Sequence, residues 1–201
     1  MIQRHVMLKK LNNMLSPHRL EHSLNVEETA KRLAIIHGAD VDVCSVAGLL
    51  HDCARDLTFR ELIERANQNP EEVPNDCKDI PILLHSYIGA IVAREEFEVT
   101  DERILNAIRF HTLGDTNMSL EDKITCLADY IEPKRTFQGV DVVRDMAKKD
   151  VDTALLAAFD FTIKHLIKMS RRINNRLIDA RNAILNGNKE YDKEEIFTNR
   201  A

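Results

Sequence analysis

Apolar residues recur at helical spacing along almost the whole chain, and little interrupts them. Only 6 of the 201 residues are glycine and 5 are proline, roughly half the usual combined share of about 12%. A sandwich or barrel needs many tight turns, and tight turns draw on Gly and Pro. The chain is therefore expected to be all-α, a single compact helical bundle. Hydrophobic residues make up 44% and charged residues 30%, a balance that suits a folded chain rather than a disordered one.

The stops and starts that do occur divide the chain into helices. Residues 2–15 form a short amphipathic segment. Ser16-Pro17 starts a second helix, with Ser at the N-cap and Pro at the first helical position, and Gly38 stops it. Asp40 or Asp42 caps a third, running to about Ala54, and Thr58 starts a fourth, to about Asn67. The segment 68–79, with two prolines and no apolar periodicity, is expected to be the longest loop. Helices follow over 82–97 and after Thr100 or Asp101. Another begins at Ser119, where Asp122 three residues on forms a variant capping box, and ends before Pro133. A short helix covers about 140–148. A long C-terminal helix is expected over about 151–185, its stripe passing through Leu155, Phe159, Ile163, Leu166, Met169, Ile173, Leu177, Ala180 and Ile184. Its first turn is acidic and its second half basic, which matches the helix macrodipole. Residues 1–187 read as one domain and 188–201 as a polar tail.

Several function classes drop out. The formal net charge is −5, which does not suit a general binder of phosphate backbones, so no nucleic-acid partner is expected. Without Trp and with 5% aromatics, a base-stacking platform is also unexpected. No stretch approaches the ~18 consecutive apolar residues of a membrane span, and the first fifteen residues lack the apolar core of a signal peptide. Cys44, Cys53, Cys77 and Cys126 have no C-x-x-C or zinc-finger spacing. They read as reduced, buried thiols of a cytoplasmic protein.

The residues that suggest chemistry are histidines and aspartates in a particular order. His51-Asp52 falls at the end of a helix. Alone the dipeptide means little, but His22 lies in the preceding helix and Asp129 in a later one. Imidazoles with carboxylates suit a divalent cation of the first transition row or a hard cation, and four such ligands leave room for water and a phosphate oxygen. His85 opens a helix and His111 closes one, where they could ligate a second ion. His51 and Asp52 are the candidate catalytic residues; His22, His51, Asp52, His85, His111 and Asp129 are the candidate metal ligands. His5, His18, His37 and His165 lie outside this pattern.

The segments RLEHSLNV (His22), AGLLHDCAR (His51, Asp52), HSYIGA (His85), AIRFHTLG (His111) and MSLEDKITCLADYIEPKR (Asp129) resemble those of the HD-domain metal-dependent phosphohydrolases. The resemblance spans about residues 16–138 and is strongest from Ile108 to Arg135. It is closest to the YqeK-like symmetrical diadenosine tetraphosphate (Ap4A) hydrolases, and implies an HD-domain helical bundle that cuts Ap4A into two ADP. It also implies a pair of divalent ions, iron foremost with Mn, Co or Zn also suitable, and a homodimer. Two ions would lower the pKa of a shared water for attack on phosphorus. The chain departs from the family at Arg55, where Lys is usual, and at Leu113, where Thr is frequent.

Arg19, Arg55, Lys134 and Arg135 are candidates for holding the substrate's phosphates, because an acidic chain needs local cations to do so. Thr112 and Gly114 are candidates for bringing backbone donors to a phosphate. Two alternatives stay open. One is another HD-type hydrolase acting on a nucleoside monophosphate or a guanosine polyphosphate. The other is a non-catalytic nucleotide-binding regulator.

Overall fold

The computed structural model describes residues 1–187; the expected tail, 188–201, lies outside the described residues. Local signals place most elements. Pro17 opens α2 (Pro17–His37), which follows α1 (Arg4–Met14), and Gly38 closes α2 with a left-handed φ of 72°. The Asp40 carboxylate accepts the N–H groups of Asp42 and Val43 and so caps α3 (Val41–Leu50). Thr58 and Glu61 form a full capping box on α4 (Phe59–Gln68). A 3₁₀ turn, Pro81–Leu83, leads into α6 (Leu84–Phe97), and Asp101 caps α7 (Glu102–Phe110). Ser119 and Asp122 make the variant capping box of α8 (Leu120–Ile131). No strand occurs among the described residues, so the all-α expectation holds.

The helices α2, α3, α7 and α8 pack on one another, α6 covers α7, and α9 (Val140–Ala147) and α10 (Val151–Lys168) cover α8. Val26, Ala30, Leu50, Leu105, Ile108, Ile124 and Leu127 are fully buried between them. Each large aliphatic side chain so buried contributes about 1.5–3 kcal/mol. All four cysteines are free and buried.

Three expectations need correction. The third helix ends at Leu50 rather than near Ala54, because the His51 ring takes the Gly48 carbonyl that a continuing helix would offer to the N–H of Asp52. The expected loop 68–79 contains a helical turn, α5 (Asn75–Lys78), anchored by the buried side chains of Val73 and Cys77. The long C-terminal helix is two helices, α10 and α11 (Asn175–Gly187). Ser170 adopts a left-handed φ of 51°, while Arg171 N–H donates to Leu166 O at 2.9 Å and Ser170 N–H to Ile167 O at 3.0 Å. These are the two bonds of a Schellman ending, here built on a serine instead of a glycine. Asn174 then starts α11 by accepting the N–H of Arg176 at 2.9 Å.

The break returns α11 against the bundle at Gly114. That glycine has a φ of 71°, and a β-carbon there would sit 2.8 Å from both Ala180 Cβ and Phe159 Cζ. Gly114→Ala is therefore expected to destabilise the protein by roughly 2–4 kcal/mol, from overpacking and left-handed strain together. Urea unfolding measures this, and a loss below about 0.5 kcal/mol, an ordinary surface effect, would show the contact to be slack.

Candidate metal centre

A close crossing of α2 and α3 sets the first two ligands. A β-carbon on Gly48 would lie 3.0 Å from Glu27 Cα and 3.2 Å from the Val26 carbonyl oxygen, so α3 meets α2 backbone to backbone. His22, in the second turn of α2, and His51, just past α3, then have ring centroids 5.2 Å apart. The His111 ring, just past α7, is 4.8 Å from that of His51, and His85 at the start of α6 is 5.1 Å from His111. The capping box at Ser119 fixes the register of α8, and nearly three turns later Asp129 faces His22, with Oδ1 3.0 Å from His22 Nε2. His22, His51, Asp52, His85 and His111 are all buried, and Asp129 is partly so. The six candidate ligands, drawn from separate parts of the sequence, are thus brought together.

Their orientation follows from hydrogen bonds on the far side of each ring. His51, His85 and His111 each place Nδ1 on the carbonyl three residues earlier, those of Gly48, Ile82 and Ile108. A carbonyl only accepts, so Nδ1 carries the proton and the Nε2 lone pair faces inward. His22 places Nδ1 3.2 Å from Glu132 Oε1, with the same effect. The Nε2 atoms of His22 and His51 are buried and have no hydrogen-bond partner among the described residues. The Thr112 hydroxyl lies between the other two, 3.0 Å from His111 Nε2 and 3.3 Å from His85 Nε2.

Asp52 divides the cluster. Its Oδ1 lies 3.3 Å from His85 Nε2 and 3.8 Å from His111 Nε2, whereas its Oδ2 lies 3.4 Å from His51 Nε2 and 3.7 Å from His22 Nε2. Two groups of donors fall within 4.8 Å of one another, His22–His51–Asp129 and His51–Asp52–His111. Inward imidazole lone pairs with carboxylate oxygens form the mixed set that divalent first-row cations take, so the residues fit such ions.

The electrostatics agree. Burial opposes charge on Asp52, but His51 and His85 hold its carboxyl well below the usual range. Burial likewise opposes charge on Asp129, while His22, His51 and Arg135 hold it far below. Burial and the neighbouring His51 and His85 push His111 down to about 3, which keeps its ring neutral and able to ligate at neutral pH. Burial lowers His51 too, but Asp52, Asp129 and the Gly48 carbonyl together raise the ring.

The phosphate candidates fall around this cluster unevenly. Arg19 donates to Asp52 Oδ2 at 2.7 Å, and Arg55 Nε lies 4.0 Å from Asp52 Oδ1. Arg135 holds Asp129 through both the main-chain and a carboxylate oxygen. Lys134 is exposed and paired with Glu21. A polar cavity of about 120 Å³ opens beside His22, lined by His18, Arg19, His22, Glu132, Lys134 and Arg135. Gly114 N–H donates to Phe110 O at 2.8 Å, and a β-carbon there would meet Ala180 and Phe159. Leu113 is buried in the core. Of the remaining histidines, His37 bonds the Ala147 carbonyl, while His5 and His165 are exposed.

The HD domain family matches residues 19–134. The chain belongs to the HD-domain family. Relatives called symmetrical bis(5′-nucleosyl)-tetraphosphatase cover most of it. The protein of that name from Halalkalibacterium halodurans is 41% identical, over 85% of this chain and 91% of its own. That from Bacillus subtilis is 37% identical, over 81% and 87%. A crystal structure of a predicted HD superfamily hydrolase involved in NAD metabolism, from Clostridium acetobutylicum, superposes with a TM-score of 0.90 at 41% identity, covering 93% of this chain and 99% of the other. An HD domain implies binding of a divalent metal, and the two donor groups give this chain a place for one.

Two residues of this HD-domain chain escaped the sequence reading. His18, set aside on the sequence, lines the cavity mouth. Glu132 is 3% exposed and touches His22; a glutamate at a helix end before proline looks like a surface residue, and only the 110-residue separation of its contact, closed by folding, shows otherwise. Because Asp52 touches both donor groups, Asp52→Ala is expected to weaken divalent metal binding beyond the ~10–100-fold loss typical of an outer partner. Far-UV circular dichroism should stay helical. Metal analysis after gel filtration checks this, and full metal content in the variant would remove Asp52 from the centre.

Proposed function

We propose that this chain is a symmetrical bis(5′-nucleosyl)-tetraphosphatase that uses one water to cut Ap4A into two ADP. The observation that carries the reading is the Asp52 carboxylate, which turns one oxygen to His22 and His51 and the other to His85 and His111. The relatives of that name support the choice of substrate. His22, His51, Asp129 and Asp52 would hold one divalent ion, and Asp52, His85 and His111 a second. Iron is the ion the family resemblance favours, with Mn, Co or Zn suited to the same donors. When bound, such ions acidify water and offset phosphate charge.

The chain's own residues contribute orientation and charge. The backbone carbonyls behind His51, His85 and His111 hold those rings with Nε2 inward. Arg19, Lys134 and Arg135 line the mouth beside His22, where they would draw a polyphosphate toward an otherwise acidic chain. Arg55, close to Asp52, would add a fourth cation, and its planar guanidinium can grip two phosphate oxygens where an ammonium would act as a point charge. Thr112 would set the His85–His111 pair through its hydroxyl. Positioning and charge stabilisation of this kind dominate phosphoryl transfer.

The same reading makes the protein a cytoplasmic homodimer. The four free buried thiols support the compartment, and no helix of the described residues is long and apolar enough to cross a membrane. Light scattering of the purified protein should give twice the chain mass of 23.0 kDa.

The deciding experiment supplies Ap4A with Fe²⁺, Mn²⁺ or Co²⁺ and separates the products. ADP as sole product is expected. AMP with ATP would overturn symmetric cleavage. Turnover of a nucleoside monophosphate or guanosine polyphosphate in place of Ap4A would move the chain to another HD hydrolase, and no turnover with any metal would favour a binding regulator.

A further inference from the structure

We infer that Glu132 is a positioning residue that couples the metal centre to the cationic mouth, an inference that rests on the metal-site reading above. Glu132 is the C-terminal cap of α8, followed by Pro133, and is 3% exposed. Oε1 accepts His22 Nδ1–H at 3.2 Å, and Oε2 accepts the backbone N–H of Lys134 at 2.7 Å. Arg135 Nε lies 3.9 Å from Oε1.

His22 needs this partner for a reason the other three rings do not share. His51 and His111 follow helix ends and His85 follows a 3₁₀ turn, where carbonyls three residues back are available. His22 lies inside α2, where the preceding carbonyls are occupied by the helix's own hydrogen bonds. An acceptor must therefore come from another element, and Glu132 supplies it. A carboxylate facing the outer nitrogen fixes the tautomer and strengthens the inner nitrogen as a ligand.

The second oxygen extends the role. By holding the Lys134 backbone, it sets the segment whose Lys134 and Arg135 side chains line the mouth. A carboxylate presents an oxygen to each of the two bonds. An amide presents one oxygen and one NH₂, so glutamine would leave either His22 Nδ1–H or Lys134 N–H facing a donor. Arg144 braces the same segment without touching the carboxylate, by donating to the carbonyls of Ile131, Glu132 and Arg135.

The test reads metal affinity without substrate. Chelator-stripped wild type, Glu132→Gln and Arg144→Ala are titrated with Mn²⁺ by calorimetry, and the metal-free melting temperature of each is recorded. Glu132→Gln is expected to bind Mn²⁺ about 10–100-fold more weakly while keeping wild-type helicity. Arg144→Ala is expected to melt lower than Glu132→Gln but to hold Mn²⁺ within about threefold of wild type, outside the range of a lost outer partner. Wild-type affinity in Glu132→Gln would overturn the inference, and so would an equal loss in Arg144→Ala, since loop packing alone would then explain it. Absence of Mn²⁺ binding in the wild type would instead overturn the metal-site reading on which the inference stands.

Discussion

The arrangement of the centre depends on the bond from a histidine Nδ1–H to the carbonyl three residues earlier. A helix leaves its last carbonyls without partners. At the ends of α3 and α7, His51 and His111 each take one of them. The ending of the helix and the aim of the imidazole are thus one event. The proton is committed to Nδ1, the lone pair on Nε2 is committed to the interior, and the ring cannot turn over without orphaning a buried carbonyl. His85 repeats the device after the turn at Pro81–Leu83. Rings aimed this way from three different elements meet only where the elements converge, which is why the cluster sits at one end of the bundle.

Convergence of lone pairs and carboxylates has an electrostatic cost that the surrounding cations offset. Asp52 and Asp129 keep their charge despite burial because imidazoles face them and, for Asp129, because Arg135 lies beside it. Arg19 binds Asp52 directly. Buried ion pairs of this kind rarely add net stability, since desolvation consumes much of the attraction. Their presence together in the core is better explained by what the cluster can bind than by what it contributes to folding. The low pKa of His111 fits the same view, as a ring kept neutral can donate its lone pair at any physiological pH.

What the sequence made readable was the chemistry that is local. Asp40, Thr58, Asp101 and Ser119 cap their helices as expected because a cap satisfies donors two or three residues away. The order of His22, His51-Asp52 and Asp129 could be read because it is a matter of residue types in sequence, and folding brings them together. Contacts made across the chain were not readable. Glu132 reaches His22 over 110 positions, and Gly114 lies against Ala180 and Phe159 from distant helices. Nothing near either residue in the sequence distinguishes it from an ordinary helix end.

The break at Ser170 illustrates the same limit and has a consequence for the site. A continuous helix from Val151 to Leu185 would extend about 50 Å at 1.5 Å per residue. The apolar stripe gives no warning, because Ile173 and Leu177 keep the helical spacing across the break and no glycine marks it. The Schellman bonds at Ser170 stop α10, and Asn174 anchors the return by donating to the Asp76 carbonyl at 3.2 Å while Arg176 pairs with the Asp76 carboxylate. Ala180 is thereby set against Gly114, three residues beyond His111. The reversal lets α11 pack behind the His111 turn and hold it from outside. A straight helix would have left that turn backed by Phe159 of α10 but not by Ala180.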